Sequence, residues 1–484
     1  MHFRAILRIV GSLMMMFSCV SMVPPWLFSL LFDDKAGVVF LQAFGYTFST
    51  GLVVWFILRK YTTELSIKDG FVVTVLFYLS LGTFGALPFL PDEGLGLSLP
   101  DAIFESFSGL TTTGATVLTG IDELAPSILY YRQQLQWLGG MGIIVLAVAI
   151  LPLLGVGGMQ LYRAEAPGPA KDSKLTPRIQ QTALALWWIY LGLTLICACA
   201  YWIAGMSWFD ALCHSFSTVA IGGFSTHDAS IGYFNSPLIE FVAILFMVIS
   251  GINFGLHYFA FKERTIAHYV ADSEVRFYLA LLFAGTVITF IVLFFFSHTY
   301  GFFTSIRYSL FEVVSIFTTT GYATAQFDAW PNMLPYFIFY GSFVGGCAAS
   351  TGGGMKVIRV MLLCKQGIRE IHRLIHPNAI FPIKLNRATI PNSIIDAVWG
   401  FFAIYIFVYI SILLVLLAVG LDFVTAFFAV GACLNNLGPG LGDVATHYGN
   451  LSAVAKLLLS LTMILGRLEI FTLLVLFTPM FWRK

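Results

Sequence analysis

The chain has 484 residues, 58% hydrophobic, 16% aromatic and only 11% charged, with a mean hydropathy of +0.86. Soluble domains carry about 25% charged residues, so a soluble enzyme or a nucleic-acid-binding domain is excluded and a polytopic membrane protein is indicated. The net charge of +1 identifies no partner; the placement of the charges is more informative.

Arg4 and Arg8 precede an apolar run that reaches Phe32 without a small-residue cleavage site. This predicts a retained first span, not a signal peptide. Further apolar stretches place spans near 9–32, 38–58, 71–91, 128–154, 182–204, 236–261, 277–297, 332–362, 393–419 and 454–482, ten in all. The expected organisation is an all-α integral membrane protein. Two N-terminal spans (1–68) are followed by repeats at 69–165, 166–268, 269–388 and 389–484. No stretch is long and polar enough for a soluble domain, so a regulatory domain has to come from another chain.

Lys and Arg concentrate on one side of these spans, among them Arg59, Lys60, Arg163, Lys171, Lys174, Arg178, Lys262, Arg359, Arg369 and Arg483. The opposite side collects Asp92, Asp122, Asp210, Asp228, Asp328 and Asp443 and keeps few cations, Arg132, Arg307 and Lys456 among them. The positive-inside rule then puts both termini in the cytoplasm. The basic run 365–387 sets topology, or binds anionic membrane lipid or a regulatory subunit. Within it His372 and His376 have metal-ligand spacing, but Arg373 stands where a zincin has glutamate, so a solvated helix is expected. The seven cysteines form no CxxC and read as small buried hydrophobes.

Four segments between the spans resemble one another: Asp101–Thr116 (DAIFESFSGLTTTGAT), Asp210–Ser225 (DALCHSFSTVAIGGFS), Tyr308–Thr324 (YSLFEVVSIFTTTGYAT) and Thr425–Gly440 (TAFFAVGACLNNLGPG). They align on Gly114, Gly223, Gly321 and Gly438, spaced 109, 98 and 117 residues apart. Each reads as a helix too short to span, about 10–12 residues, followed by a polar turn. Two spans per repeat make all four parallel, as a ring requires, so fourfold pseudosymmetry in one chain is predicted. Asp101, Asp210 and Asp422 start three of the helices, and Ser305 is expected to cap the third. The negative helix ends, roughly −0.5 charge each, would converge on a central cation. Irregular backbone at membrane depth has to line water or be buried in protein. The turn side chains differ: Thr111 and Thr112, Ala220 and Ile221, Thr318 and Thr319, Asn435 and Asn436. The shared chemistry is therefore expected in the backbone carbonyls, which glycine allows to point inward.

Two further features lie below these turns. The third repeat's last helix is interrupted at 345–356 by Gly345, Gly346, Gly352, Gly353 and Gly354, ending at Lys356. Such a run is no regular helix at low cost; it reads as a mobile barrier or a packing kink. A nucleotide-binding loop would need a GK[ST] ending that is absent. Arg467 lies inside the last span, where a charge costs roughly 3 kcal/mol on insertion scales. It is expected to face the pore near the glycine-rich loop and oppose cations, or to bond the loop carbonyls. Glu469 is not its obvious partner, and Lys456 is expected to snorkel.

Four pore repeats with one glycine each resemble the Trk/Ktr/HKT superfamily of potassium transporters. With two extra N-terminal spans, the chain is similar throughout to the membrane subunits of bacterial Trk potassium uptake systems. The resemblance implies K⁺ translocation, residence in the bacterial inner membrane, a homodimer, an intramembrane gating loop and a cytosolic nucleotide-binding TrkA-type ring. It implies K⁺ coordination by the backbone of Thr111, Thr112, Ala220, Ile221, Thr318, Thr319, Asn435 and Asn436, with K⁺ as cargo and no organic cofactor. In plant relatives a serine in the first repeat is associated with Na⁺ preference, so Gly114 favours K⁺. The departures from threonine in repeats two and four leave the strictness of selection open. A solute–cation symporter would predict inverted repeats and intramembrane carboxylates, and a membrane enzyme a clustered nucleophile, base or metal set. Neither pattern is visible.

Overall fold

The computed structural model describes residues 2–61, 66–140, 142, 179–297, 300–331, 333–386 and 388–483. The second half of the span expected at 128–154, the boundary expected at 165/166, and Arg163, Lys171, Lys174 and Arg178 lie outside the described residues.

The architecture is α-helical. Helices α1 (Phe3–Phe32) and α2 (Gly37–Leu58) form a hairpin over the turn 33–36. They cross at two glycines: a Cβ on Gly11 would lie 2.8 Å from Gly51 O, and one on Gly51 2.7 Å from Gly11 O. Small residues let membrane helices approach this closely. Helix α3 (Ile67–Gly85) starts at a capping box in which Ser66 and Asp69 satisfy each other's backbone N–H. The first unit continues through α4 (Leu99–Leu110) and α5 (Pro126–Gly140). The second comprises α6 (Ile179–Ile203), α7 (Trp208–Ala220), α8 (Pro237–Ser250) and α9 (Phe254–Glu263). After α10 (Ala267–Ala271), the third runs through α11 (Ser273–Ile291), α12 (Phe302–Phe317), α13 (Leu334–Gly341) and α14 (Val357–Ile375). The fourth has α15 (Asn392–Val419), α16 (Phe423–Asn435), α17 (Ala453–Arg467), α18 (Phe471–Leu474) and α19 (Pro479–Trp482). Between α14 and α15 lies a two-residue antiparallel pair, Lys384–Leu385 with Ala388–Thr389, in an otherwise helical chain.

Six described helices are long and apolar enough to cross a membrane, or eight spans if each of two sharply bent pairs counts once. The bends correct the expectation of continuous spans at 236–261 and 454–482. The chain turns by 95° between α8 and α9 and by 106° between α17 and the segment from Phe471. At the first bend Asn253 caps the new helix through Gly255 N–H, at 2.8 Å, and Cys347 N–H occupies Gly251 O at 2.8 Å. At the second, Glu469 and Ile470 take positive φ, and Ile470 N–H returns to Leu465 O at 2.8 Å. Both breaks therefore re-satisfy their backbone groups, as apolar surroundings require. The break expected at 345–356 is present between α13 and α14.

Two large apolar cores hold the helices. One joins α1–α5 to the last unit; the other joins the second and third units and takes in Phe428 and Ala432 of α16. Four cysteines are buried, Cys197, Cys213, Cys347 and Cys433, while Cys19, Cys199 and Cys364 are exposed. His372 and His376 are exposed at the end of α14.

Candidate functional site

The short helices α4, α7, α12 and α16 have 12, 13, 16 and 13 residues. Their first turns correct the expected caps. Ser98 and Ser207 are the N-caps of α4 and α7, with Asp101 and Asp210 three residues in. Asp422 caps α16 directly. Helix α12 begins after Gly301, and Ser305 lies inside it. Lys456 does not snorkel: its ammonium is buried, 2.5 Å from Asp101 Oδ1 and 2.8 Å from Gly449 O.

The four helices end identically although their last residues differ. Two residues before each aligned glycine, Thr112, Ile221, Thr319 and Asn436 have φ of 56°, 54°, 68° and 54°. The next N–H reaches back to close a 6→1 bond: Thr113 to Ser108 O, Gly222 to Ser217 O, Thr320 to Ser315 O and Leu437 to Ala432 O, all 2.8–2.9 Å. This is the Schellman ending. The glycines follow at φ 79°, 80°, 83° and 96°. Positive φ on either side of a residue with negative φ turns successive carbonyls toward one side, whereas a strand alternates them. A β-branched residue in the left-handed region is strained by roughly 1–3 kcal/mol, so Thr112, Ile221 and Thr319 hold this shape at a cost.

The turns close into a ring. A Cβ on Gly114 would collide with Gly222 O, one on Gly223 with Thr320 O, and one on Gly321 with Leu437 O; one on Gly438 would lie 2.8 Å from Thr113 O. A cavity of about 380 Å³ opens over this ring and is lined by all four glycines with Arg132, His227 and Asp328. Side-chain hydroxyls of the first threonines point away: Thr111 and Thr318 donate to Phe107 O and Val314 O, each at 2.7 Å.

On the opposite side of the ring the 345–356 segment meets three turns, and Arg467 completes the fourth. Gly353 N–H donates to Thr319 Oγ1 at 2.7 Å, Gly354 N–H to Asn435 O at 3.0 Å, and Thr351 Oγ1 to Val219 O at 3.0 Å. Arg467 donates to Thr112 Oγ1 and Thr351 O at 3.2 Å each, and to the carbonyls of Gly139 and Gly140. The glycines are needed for this approach: a Cβ on Gly353 would collide with Asn435 O, one on Gly345 with Gly353 O, and Gly346 and Gly352 pack against each other and the loop. Lys356, buried, bonds Gly352 O. Glu469 pairs with Arg359 at 2.5 Å, not with Arg467. Of the eight backbone positions expected to face an ion, Asn435 differs, because its carbonyl accepts the Gly354 N–H.

Residues 36–484 match the model of TrkH, a cation transport protein family. The chain belongs to this family. It is 57% identical to the Trk system potassium uptake protein TrkH of Halomonas elongata and 53% identical to that of Escherichia coli K12, over 100% of both chains in each case. The crystal structure of the potassium transporter TrkH from Vibrio parahaemolyticus superposes with a TM-score of 0.91, 51% identity and full coverage of both chains. The family is one of transporters, not enzymes.

For a member of the TrkH family, several groups that grip the ring had no signal in the span pattern. Gln136 on α5 accepts from Ser217 Oγ (2.6 Å) and Phe224 N–H (3.1 Å) and donates to Gly222 O (2.6 Å). Glu274 accepts the N–H of Ala348 at 2.7 Å and of Ile358 at 3.2 Å, tying both ends of the glycine-rich loop to α11. Gln136 was legible only as one of several polar letters in α5, and Glu274 lies in the first turn of α11, before the span expected at 277–297.

At the cavity rim His227 clasps two units. Its Nδ1 is 2.5 Å from Asp122 Oδ1 and its Nε2 is 3.6 Å from Asp210 Oδ1. Asp228 joins in, accepting Ile121 N–H at 2.8 Å and donating its own N–H to Asp122 at 3.2 Å. Burial pushes the imidazole pKa down, but the carboxylates of Asp210 and Asp122 beside it outweigh this and raise the value above the usual one. A raised histidine pKa stabilises fully below about pH 6.5, and the contribution is lost as pH rises through the folded value. The melting temperature is thus expected to fall as pH rises above about 6.5, and His227→Gln to flatten that dependence. An unchanged slope in the variant refutes the clasp.

Proposed function

We propose that this chain is a gated K⁺ (and Rb⁺) uptake pore of the inner membrane. One observation carries the reading: four turns with different side chains share one backbone shape and close a ring beneath a cavity. Such a ring offers carbonyls in place of a hydration shell. The relatives' shared designation as Trk system potassium uptake proteins supports K⁺ as the cargo.

In this reading the chain has ten spans, with α4, α7, α12 and α16 as re-entrant pore helices and the four repeats, bounded as expected above, arranged with fourfold pseudosymmetry. The spans at 128–154 and 332–362 add to the eight counted by length. The cavity is the outer mouth, and both termini are cytoplasmic. The backbone of Thr111, Thr112, Ala220, Ile221, Thr318, Thr319 and Asn436 coordinates K⁺, with Asn435 shared between ion and loop. The 345–356 loop and Arg467 form the gate, since together they touch the inner end of every turn. Release would come from a cytosolic TrkA-type nucleotide-binding ring acting on a homodimer.

The test is ⁸⁶Rb⁺ uptake into proteoliposomes, competed with K⁺ and Na⁺. Suppression by K⁺ far stronger than by Na⁺ is expected. Equal suppression rejects the selective filter, and absence of uptake in both the chain and its Arg467→Ala variant rejects the pore.

A further inference from the structure

The position nine residues before each aligned glycine holds Glu105, His214, Glu312 and Ala429. All four are buried in their short helices. Three of them cross behind the turn to the limb that leaves the ring. Glu105 accepts from Thr116 Oγ1 and Val117 N–H, at 3.0 Å each. Glu312 accepts from Thr324 N–H at 2.7 Å, Ala325 N–H at 3.0 Å and Thr324 Oγ1 at 3.1 Å. His214 bonds Asp210 O through Nδ1 at 2.9 Å and Ser225 Oγ through Nε2 at 3.0 Å. Ala429 is too short to reach. There Tyr448 substitutes, donating its hydroxyl to Gly438 O and its N–H to Thr116 O, both at 2.8 Å. Every outgoing limb is thus pinned, by a carboxyl in the first and third repeats, an imidazole in the second and Tyr448 in the fourth.

The two glutamates are not equivalent. Both oxygens of Glu105 are engaged: Arg132 Nε donates to Oε1 at 2.8 Å in a fully buried ion pair, and Val117 N–H bonds Oε2. Glu312 gathers all three of its bonds on Oε1. Among the described residues Oε2 has no hydrogen-bond partner, and no cation pairs with the carboxyl. A buried carboxylate without a cation is costly, so an acid retained here has to do something a smaller apolar residue cannot.

We propose that Glu312 is a positioning residue for ion discrimination: its single acceptor oxygen fixes the outer limb of the third turn, and its charge is not required. Glu105 is its charged counterpart in the first repeat and works only with Arg132. A ring of carbonyls tells cations of different size apart only while its limbs are held, and this pair of helix-to-limb struts holds two of the four. The inference rests on the filter reading above, and the test separates the two.

The measurement is the ratio of Na⁺ to K⁺ concentrations that halve ⁸⁶Rb⁺ uptake into proteoliposomes holding the full chain. Glu312→Ala is expected to lower the ratio about tenfold, equivalent to ~1.4 kcal/mol. Glu312→Gln, which keeps the acceptor oxygen, is expected to restore it, while Glu105→Gln is expected to lower it because Arg132 loses its counter-ion. A ratio unchanged in Glu312→Ala, or Glu312→Gln as impaired as Glu312→Ala, overturns the proposal. Should Glu312→Ala not fold, Glu312→Asp decides: its carboxylate is one methylene short, so a lowered ratio supports the strut and a normal one refutes it. An unsubstituted chain that takes up Rb⁺ with no K⁺ preference defeats the filter reading, and the strut falls with it.

Discussion

Gly321→Ser is expected to lower the preference for K⁺ over Na⁺ by about tenfold or more while the protein still folds. Gly321 has φ 83°, and a Cβ there would meet Leu437 O and lie 2.7 Å from Pro439 Cδ. The left-handed conformation alone costs a side chain roughly 1–3 kcal/mol. The collision falls on backbone of the neighbouring turn, which cannot rotate away as a side-chain tip would. The serine therefore displaces a carbonyl of the ring itself. Gly420→Ala is the control. It has φ 104° but open space around it, at the end of α15, so it should show the strain without the change in preference. The readout is competition of ⁸⁶Rb⁺ uptake by K⁺ and Na⁺; equal preference in Gly321→Ser and the unsubstituted chain would remove the ring from the mechanism.

Arg467→Ala is expected to raise ⁸⁶Rb⁺ flux about tenfold in the absence of any cytosolic partner. Two effects act in the same direction. At an effective dielectric constant of about 20, a unit charge about 10 Å away opposes a cation by ~1.7 kcal/mol. The same guanidinium also binds Thr351 O of the loop, Thr112 of the first turn and the Gly139 and Gly140 carbonyls, so its removal loosens the loop from the ring. Arg467→Lys keeps the charge but has no planar fork for several carbonyls, and should fall between the two. Flux in Arg467→Lys equal to that in Arg467→Ala would assign the barrier to the hydrogen bonds. Unchanged flux in Arg467→Ala sinks the barrier role.

The sequence alone carried the membrane class, because an 11% charged composition leaves few other homes for 484 residues. It also carried the four turns, since internal repetition survives even where Ala220 and Ile221 or Asn435 and Asn436 replace threonines. In the structure all four turns share the same left-handed positions and 6→1 bonds, which depend on local chain geometry and not on side-chain identity. Hydropathy did not reveal the bends at Gly251–Asn253 and Leu468–Ile470. A window average is blind to backbone groups re-satisfied elsewhere, by the 345–356 loop at the first bend and by the return of Ile470 N–H to Leu465 O at the second. Nor did pattern reading pair Lys456 with Asp101 or Arg359 with Glu469, or give Ser98 and Ser207 the caps assigned to Asp101 and Asp210. The gripping residues Gln136, Glu105 and Glu312 were legible only as polar letters in α5, α4 and α12. Which oxygen meets which N–H is fixed by long-range packing, and only the tertiary structure decided it.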